Sequence, residues 1–177
     1  MSTMYVNNIA PLEGTTINVA SGNTLSAPGH VIQVVQQAIY SGSSTSSTSY
    51  VSSGHSCQIT PSSPSSKILA RVSGGGGYTT AGNLGGANKL YRTIGSGTTA
   101  ALTAQQQDWA IWNSGSPTIA PHSFEYLDSP NTTEQLTYAV YIRRDPNGAS
   151  GEYHYSVNYF GGGRYPYVTL TLMEIAQ

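Results

Sequence analysis

Charge is almost missing from this chain. Asp, Glu, Lys and Arg make up only 8% of its 177 residues, where ordinary globular proteins carry about 25%. Seven basic residues against eight acidic ones leave a net charge of −1, which gives no electrostatic footprint for nucleic acid. There is one cysteine, Cys57. An internal disulfide is therefore excluded, and assembly in a reducing cytoplasm is expected. No apolar run approaches the roughly 20 residues of a helical membrane span, so membrane insertion is not expected. Met1-Ser2-Thr3 opens without a basic or apolar leader pattern, so no secretory signal is expected. In that setting Asn131-Thr132-Thr133 reads as a plain turn and not a glycosylation acceptor.

Hydroxyls and glycine fill the space that charge leaves. The chain has 24 Ser, 19 Thr and 20 Gly, and 13 Tyr stand against 2 Phe. Thr and aromatic residues favour strands, while Gly and Ser mark turns. Tyrosine suits half-exposed surfaces, with an apolar body and a wet tip. Neutral hydroxyls also suit closely apposed subunits, because they avoid the desolvation cost of buried charge.

Two regions are expected. Residues 1–29 space Val6, Ile9, Leu12, Ile17, Val19 and Leu25 among small polar residues, too sparsely to build a core. Such an arm is either a disordered tail or, as its repeated apolar residues favour, a shaft that wraps with two identical copies around a shared axis and serves trimerisation or attachment. Residues 30–177 read as an all-β domain, an antiparallel β-sandwich of jelly-roll type. After the turn Ala27-Pro28-Gly29-His30, strands are expected over 31–40, 67–73, 89–94, 122–127, 135–144 and 167–175. Shorter ones fit 50–60, Trp109–Trp112 and 152–159, and 100–108 is the one candidate for a helical turn. The strands at 31–40, 135–144 and 167–175 are expected at the centres of their sheets. Ser41–Ser49 reads as a low-complexity loop with nothing to bury. Gly74-Gly75-Gly76-Gly77 is expected to stop a strand. The core is expected to hold Ile68, Val72, Leu90, Leu136, Val140, Ile142, Leu170 and Leu172.

Chemistry-bearing groupings are thin. His55 and Cys57 share a strand face, but no carboxylate accompanies them, so a buried structural cysteine is the expectation. Glu152 and His154 also share a face; a metal needs three or four convergent ligands, so no metal and no cofactor is expected. The eight acidic residues, Glu13, Asp108, Glu125, Asp128, Glu134, Asp145, Glu152 and Glu174, are too scattered for a glycosidase pair, and no enzymatic activity is expected. Asp128 reads as a turn former before Ser129-Pro130. Glu174 is expected to pair with Arg71, Arg92 or Arg143. Gly74–Gly86 is expected to be a permissive loop. Trp109 and Trp112 fit a core segment. Aromatic side chains near glycine offer flat faces for sugars, and Tyr159, Arg164, Tyr165 and Tyr167 frame Gly161-Gly162-Gly163. Those four are the candidate ligand-binding residues. The Ser/Thr loop at 41–53, with Tyr50 as its aromatic, is the counter-candidate.

The run Leu127-Asp128-Ser129-Pro130, the alternating Leu136–Ile142 and the terminal Val168–Ile175, together with Ala27–Gln36 and Ser65–Arg92, resemble the small trimeric fibre proteins of marine bacteriophages, of the cyanophage tail-fibre kind. The resemblance covers most of the chain and rests on strand-and-turn patterns. It implies a trimeric jelly-roll head on a short N-terminal shaft, a place on the virion after assembly in the host cytoplasm, and contact with other virion proteins through the arm. It also implies attachment to a cell-surface glycan. The alternative is a capsid- or collar-decorating fibre with no receptor. A homotrimer is expected, so light scattering should return three times the 18.6 kDa chain mass; a monomer at micromolar concentration contradicts it.

Overall fold

A computed structural model describes residues 21, 27–102, 109–113, 119–156 and 167–177. Apart from Ser21 and 27–29, the expected arm lies outside the described residues, as does most of the candidate helical turn. The strands are β1 (Val31–Ile39), β2 (Ser43–Thr45), β3 (Val51–Ile59), β4 (Lys67–Thr79), β5 (Leu84–Ile94), β6 (Ala100–Ala101), β7 (Trp109–Asn113), β8 (Ile119–Asp128), β9 (Leu136–Arg144), β10 (Tyr153–Tyr155) and β11 (Val168–Ile175). No helix occurs among the described residues.

The pairings are antiparallel and nested. β1 pairs with β11, β3 with β9, β4 with β8, and β5 with β6 and β7. The chain is thus a long hairpin rolled on itself into two packed sheets, which is the jelly-roll arrangement. One sheet runs β1-β11-β4-β8, with β10 and β2 continuing the lines of β11 and β1; the other runs β3-β9-β5, with β6 and β7 along the far edge of β5. β9 and β11 are central, as expected. β1 is an edge strand, because β11 is its one ladder partner among the described strands. Its β-branched composition signalled a strand but carried no information on how many neighbours it has.

The core follows from alternation. On β9, Leu136, Tyr138, Val140 and Ile142 point inward and their neighbours do not. Val168, Leu170 and Leu172 of β11 meet Ile68, Ala70 and Val72 of β4 from the same side. All eight expected core residues are buried. Polar bonds tie the sheets across this core. Asp128 on β8 accepts from the Tyr138 hydroxyl at 2.7 Å and from the Arg92 guanidinium at 2.5 Å. The Tyr153 hydroxyl of β10 donates to Asn88 Oδ1 of β5 at 2.8 Å. Close approach is tight here: a Cβ on Gly86 would lie 2.0 Å from the Tyr153 ring.

Several expectations are corrected. Gly74–Gly77 does not stop β4, which continues to Thr79. At this point β4 passes from β11 to β10 on one edge while β8 stays on the other, with a register shift between Ser73 and Gly76. Partners on both edges satisfy the backbone, and glycine absorbs the irregularity. The supposed 74–86 loop therefore shrinks to a turn around Asn83, which takes φ 55°. Ser43–Thr45 is a strand, and Thr45 is buried. Asp128 is an inward clamp residue and not a free turn former. Glu174 pairs with none of the three arginines named above; it lies inward and accepts from Gln33 Nε2 at 2.6 Å and from Ser62 N and Oγ at 2.7 Å. Burial alone would raise its pKa, but these donors outweigh it and hold the carboxyl below its usual range.

His55 and Cys57 both point inward, as their spacing required. His55 Nε2 lies 2.8 Å from the Ser41 carbonyl, and its ring sits 5.3 Å from that of Tyr155. Nδ1 is buried without a partner.

Two outcomes follow for stability. Leu170→Ala should cost on the order of 2–5 kcal/mol through lost transfer energy plus a cavity, read from urea unfolding. Burial, against the weaker pull of the Ser41 carbonyl, lowers the His55 pKa below its ordinary 6.5. The unfolded chain then binds the extra proton first, so stability should hold above pH 6.5 and fall as pH drops toward the lowered value. Melts at stepped pH should show that slope, and His55→Gln should flatten it.

Candidate recognition surface

Tyr167, the described member of the four expected ligand-binding residues, directly precedes β11. Tyr40 directly follows β1. Ile39 and Val168 close the β1–β11 ladder, so the next residue on each strand carries a tyrosine to the sheet's outer face. Tyr40 is 66% exposed and Tyr167 54%. Their ring centroids are 5.7 Å apart, tilted by 41°. Two neighbouring aromatic faces open to solvent form a platform of the kind that stacks on sugar C–H groups. Tyr159, Arg164 and Tyr165 lie outside the described residues.

Backbone packing fixes the platform. Gly74 takes φ 88°, and a Cβ there would lie 2.5 Å from the Tyr167 carbonyl oxygen. Only glycine meets both conditions without moving that carbonyl. The partnership of Tyr40 with Tyr167 was not read from the sequence. No local signal joins them, because they meet only through the long-range pairing of β1 with β11.

A second aromatic group lies on the outer face of the β3-β9-β5 sheet. Tyr91 stacks on Tyr141 at 4.0 Å and 29°, and Tyr50 approaches Tyr91 at 6.1 Å. Lys89 and Arg143 sit 4.9 and 4.8 Å from the Tyr50 ring centroid. Lys89 is only 2% exposed. These rings spend their faces on one another and on cations, which makes the group a seal over the sheet and not an open platform. Trp112 is 55% exposed, so its expected place in the core is corrected. β7 runs along the rim of this sheet on β5, where Trp112 opposes Gly85.

The remaining candidates are structural. Glu152 Oε2 lies 3.2 Å from His154 Nε2. Among the described residues no group of three His, Cys, Asp or Glu converges as a metal site would require. Buried Cys57 has its thiol pKa raised by desolvation, the opposite of what a nucleophile needs.

No protein-family model and no curated protein matches the chain. Among solved structures it is similar to the infectious bursal disease virus particle, at 16% identity and TM-score 0.41, with 92% of this chain and 40% of that chain covered. It is similar to the VP2 subviral particle of the same virus, at 16% identity and TM-score 0.41, covering 92% and 42%. The Gx strain structure gives 15% identity and TM-score 0.35, covering 92% and 41%. The chain thus spans about two fifths of the length of the structures it matches, and no residue role is taken from them.

Gly74→Ala should displace Tyr167 and cost at least about 1 kcal/mol, because the left-handed backbone and the carbonyl contact both resist a Cβ. Urea midpoints checked alongside tyrosine fluorescence should show the two effects together.

Proposed function

We propose that the chain is a virion structural protein of the fibre or appendage type. In this reading it is a non-enzymatic homotrimer whose jelly-roll head attaches to a host-surface glycan and whose N-terminal arm joins it to other virion proteins. The observation that carries the attachment reading is the exposed Tyr40–Tyr167 pair, held on a rigid sheet by the β1–β11 ladder. Recognition surfaces gain precision when a packed scaffold fixes rigid aromatic anchors. The low charge and the inward use of Asp128 and Glu174 support a binding role over a catalytic one. The resemblance of the strand-and-turn pattern to phage fibres points the same way.

A decorating fibre without a receptor is the second reading, and the apolar row Val34, Met173, Leu69 and Leu127, aligned in register on the outer face of the same sheet, favours it. A glycan array separates the two. The folded protein should bind a defined set of glycans, and Tyr40→Ala and Tyr167→Ala should each weaken binding at least about tenfold, or roughly 1.4 kcal/mol, with unchanged melts. Equal binding by parent and variants, or no binding by the parent, favours decoration.

A further inference from the structure

The loop between β3 and β4 reads Pro61-Ser62-Ser63-Pro64-Ser65-Ser66. Two prolines restrict its backbone, and Ser66 N donates to the Ser63 carbonyl at 3.2 Å. With the adjoining ends of β1 and β11 the loop frames a pocket of about 320 Å³. That is the small end of the ligand-pocket range of about 300–1,000 Å³, room for one sugar ring and not for a polymer. Ser62, Ser63, Ser65 and Ser66 line it with Ile32 and Gln177. The Tyr40–Tyr167 pair stands at the opposite end of the β1–β11 ladder, so the pocket is separate from the tyrosine platform.

Glu174 lies behind the serines. It is fully buried, and its hydrogen-bond partners among the described residues are neutral: Gln33 Nε2 at 2.6 Å, and Ser62 N and Oγ at 2.7 Å. Burial opposes its charge, yet these donors hold the carboxyl below its usual range, so it is ionised at neutral pH. Lys67, the basic residue nearest in register, opposes Ile175 and so belongs to the other face of the sheet. A buried charge without a counter-charge is costly, and the pocket is open to a ligand that brings one.

The serines present that charge to the pocket. Ser62 Oγ spends its proton on Glu174, so only lone pairs remain for a ligand. Ser66 is buried, and its Oγ leans on the same carboxylate but closes no hydrogen bond. Gln177 Nε2 donates to the Ala176 carbonyl, which leaves Oε1 to accept. Ser63 and Ser65 share one bond at 2.9 Å and keep one hydroxyl hydrogen between them. Three acceptors beside a carboxylate call for a cationic donor, and the remaining hydroxyl hydrogen suits a ligand hydroxyl. Ile32 offers an apolar wall to a carbon ring. A metal ion fits less well, because no three His, Cys, Asp or Glu side chains converge among the described residues.

We propose that this pocket binds one hexosamine unit, with its primary ammonium against Ser62 and Ser66 and its hydroxyls against Ser63, Ser65 and Gln177. Glu174 is a positioning residue: it aims the Ser62 lone pairs and attracts the ammonium through them, without touching the sugar. The proposal does not rest on the tyrosine platform.

Amide NMR titration of the full chain in mildly acidic buffer tests this, with glucosamine, glucose and N-acetylglucosamine as probes. The three share a ring, and only the first carries a cation. Glucosamine should bind at least about tenfold more tightly than either neutral sugar. The shifts should fall on Ser63, Ser66 and Ala176 and spare Tyr40 and Val168. Glu174→Gln should bring glucosamine down to the level of glucose. If that variant melts early, Ser66→Ala decides, and it should weaken glucosamine at least about threefold with an unchanged melt. Equal binding of the three sugars, no binding of glucosamine, or binding that the deciding variant leaves unchanged overturns the proposal. Shifts confined to Tyr40 and Val168 also overturn it, because they place the sugar on the tyrosine platform and leave the function proposed above standing.

Discussion

The fold depends on one buried carboxylate. Asp128 sits at the end of β8 and is almost closed to solvent, and a charge in that position is tolerated only when it is paired and hydrogen-bonded. Arg92 and Tyr138 supply that pairing, and both come from the opposite sheet. The three side chains therefore hold the two layers at a fixed offset. Burial, reinforced by the bond to Asp128, pushes the Tyr138 phenol far above its ordinary pKa, so it stays protonated and keeps donating. Removing either partner would strand the carboxylate, which is why the clamp acts as a registration device as well as an attachment.

The same economy runs through the core. With so few charges, the chain meets its buried polar needs with hydroxyls. Ser53 Oγ donates to the Val140 carbonyl at the irregular stretch of β3. Ser62 donates to Glu174 twice, and Tyr153 reaches Asn88 across the sheets. A phenylalanine would fill the volume at 138 or 153 but would leave Asp128 or Asn88 short of a donor. The excess of tyrosine over phenylalanine is therefore partly a core property, whereas a reading from composition alone assigns it to the surface.

Legibility in the sequence divided along a physical line. Faces within a strand were readable, because alternation is local: Leu136, Val140 and Ile142, and Leu170 and Leu172, fell inward as their period required. Partners across strands were not readable. Glu174 was assigned to an arginine by charge, yet its donors are an amide and a serine brought in by the β1–β11 ladder and the turn after β3. Gly74–Gly77 was read as a break because glycine is weak in an isolated strand; with neighbours on both edges the ladder prevails over propensity. At the recognition surface, Tyr167 was visible as an aromatic beside glycines, but Tyr40 became its neighbour only through long-range pairing.

Nested pairing also sets an order in time. The innermost strands meet through short connections, while β1 must find β11, with Val31 against Ile175. Among the described strands, closing that outermost ladder carries the greatest loop entropy. During synthesis at about 5–20 residues per second, β1 emerges first and waits on the order of ten seconds for its partner. Throughout that interval a β-branched strand stands with both edges unpaired. Its three glutamines, Gln33, Gln36 and Gln37, interrupt what would otherwise be a continuous apolar ribbon. With neither charge nor proline in the strand, it is the arrival of β11 that withdraws it as a template for its own copies.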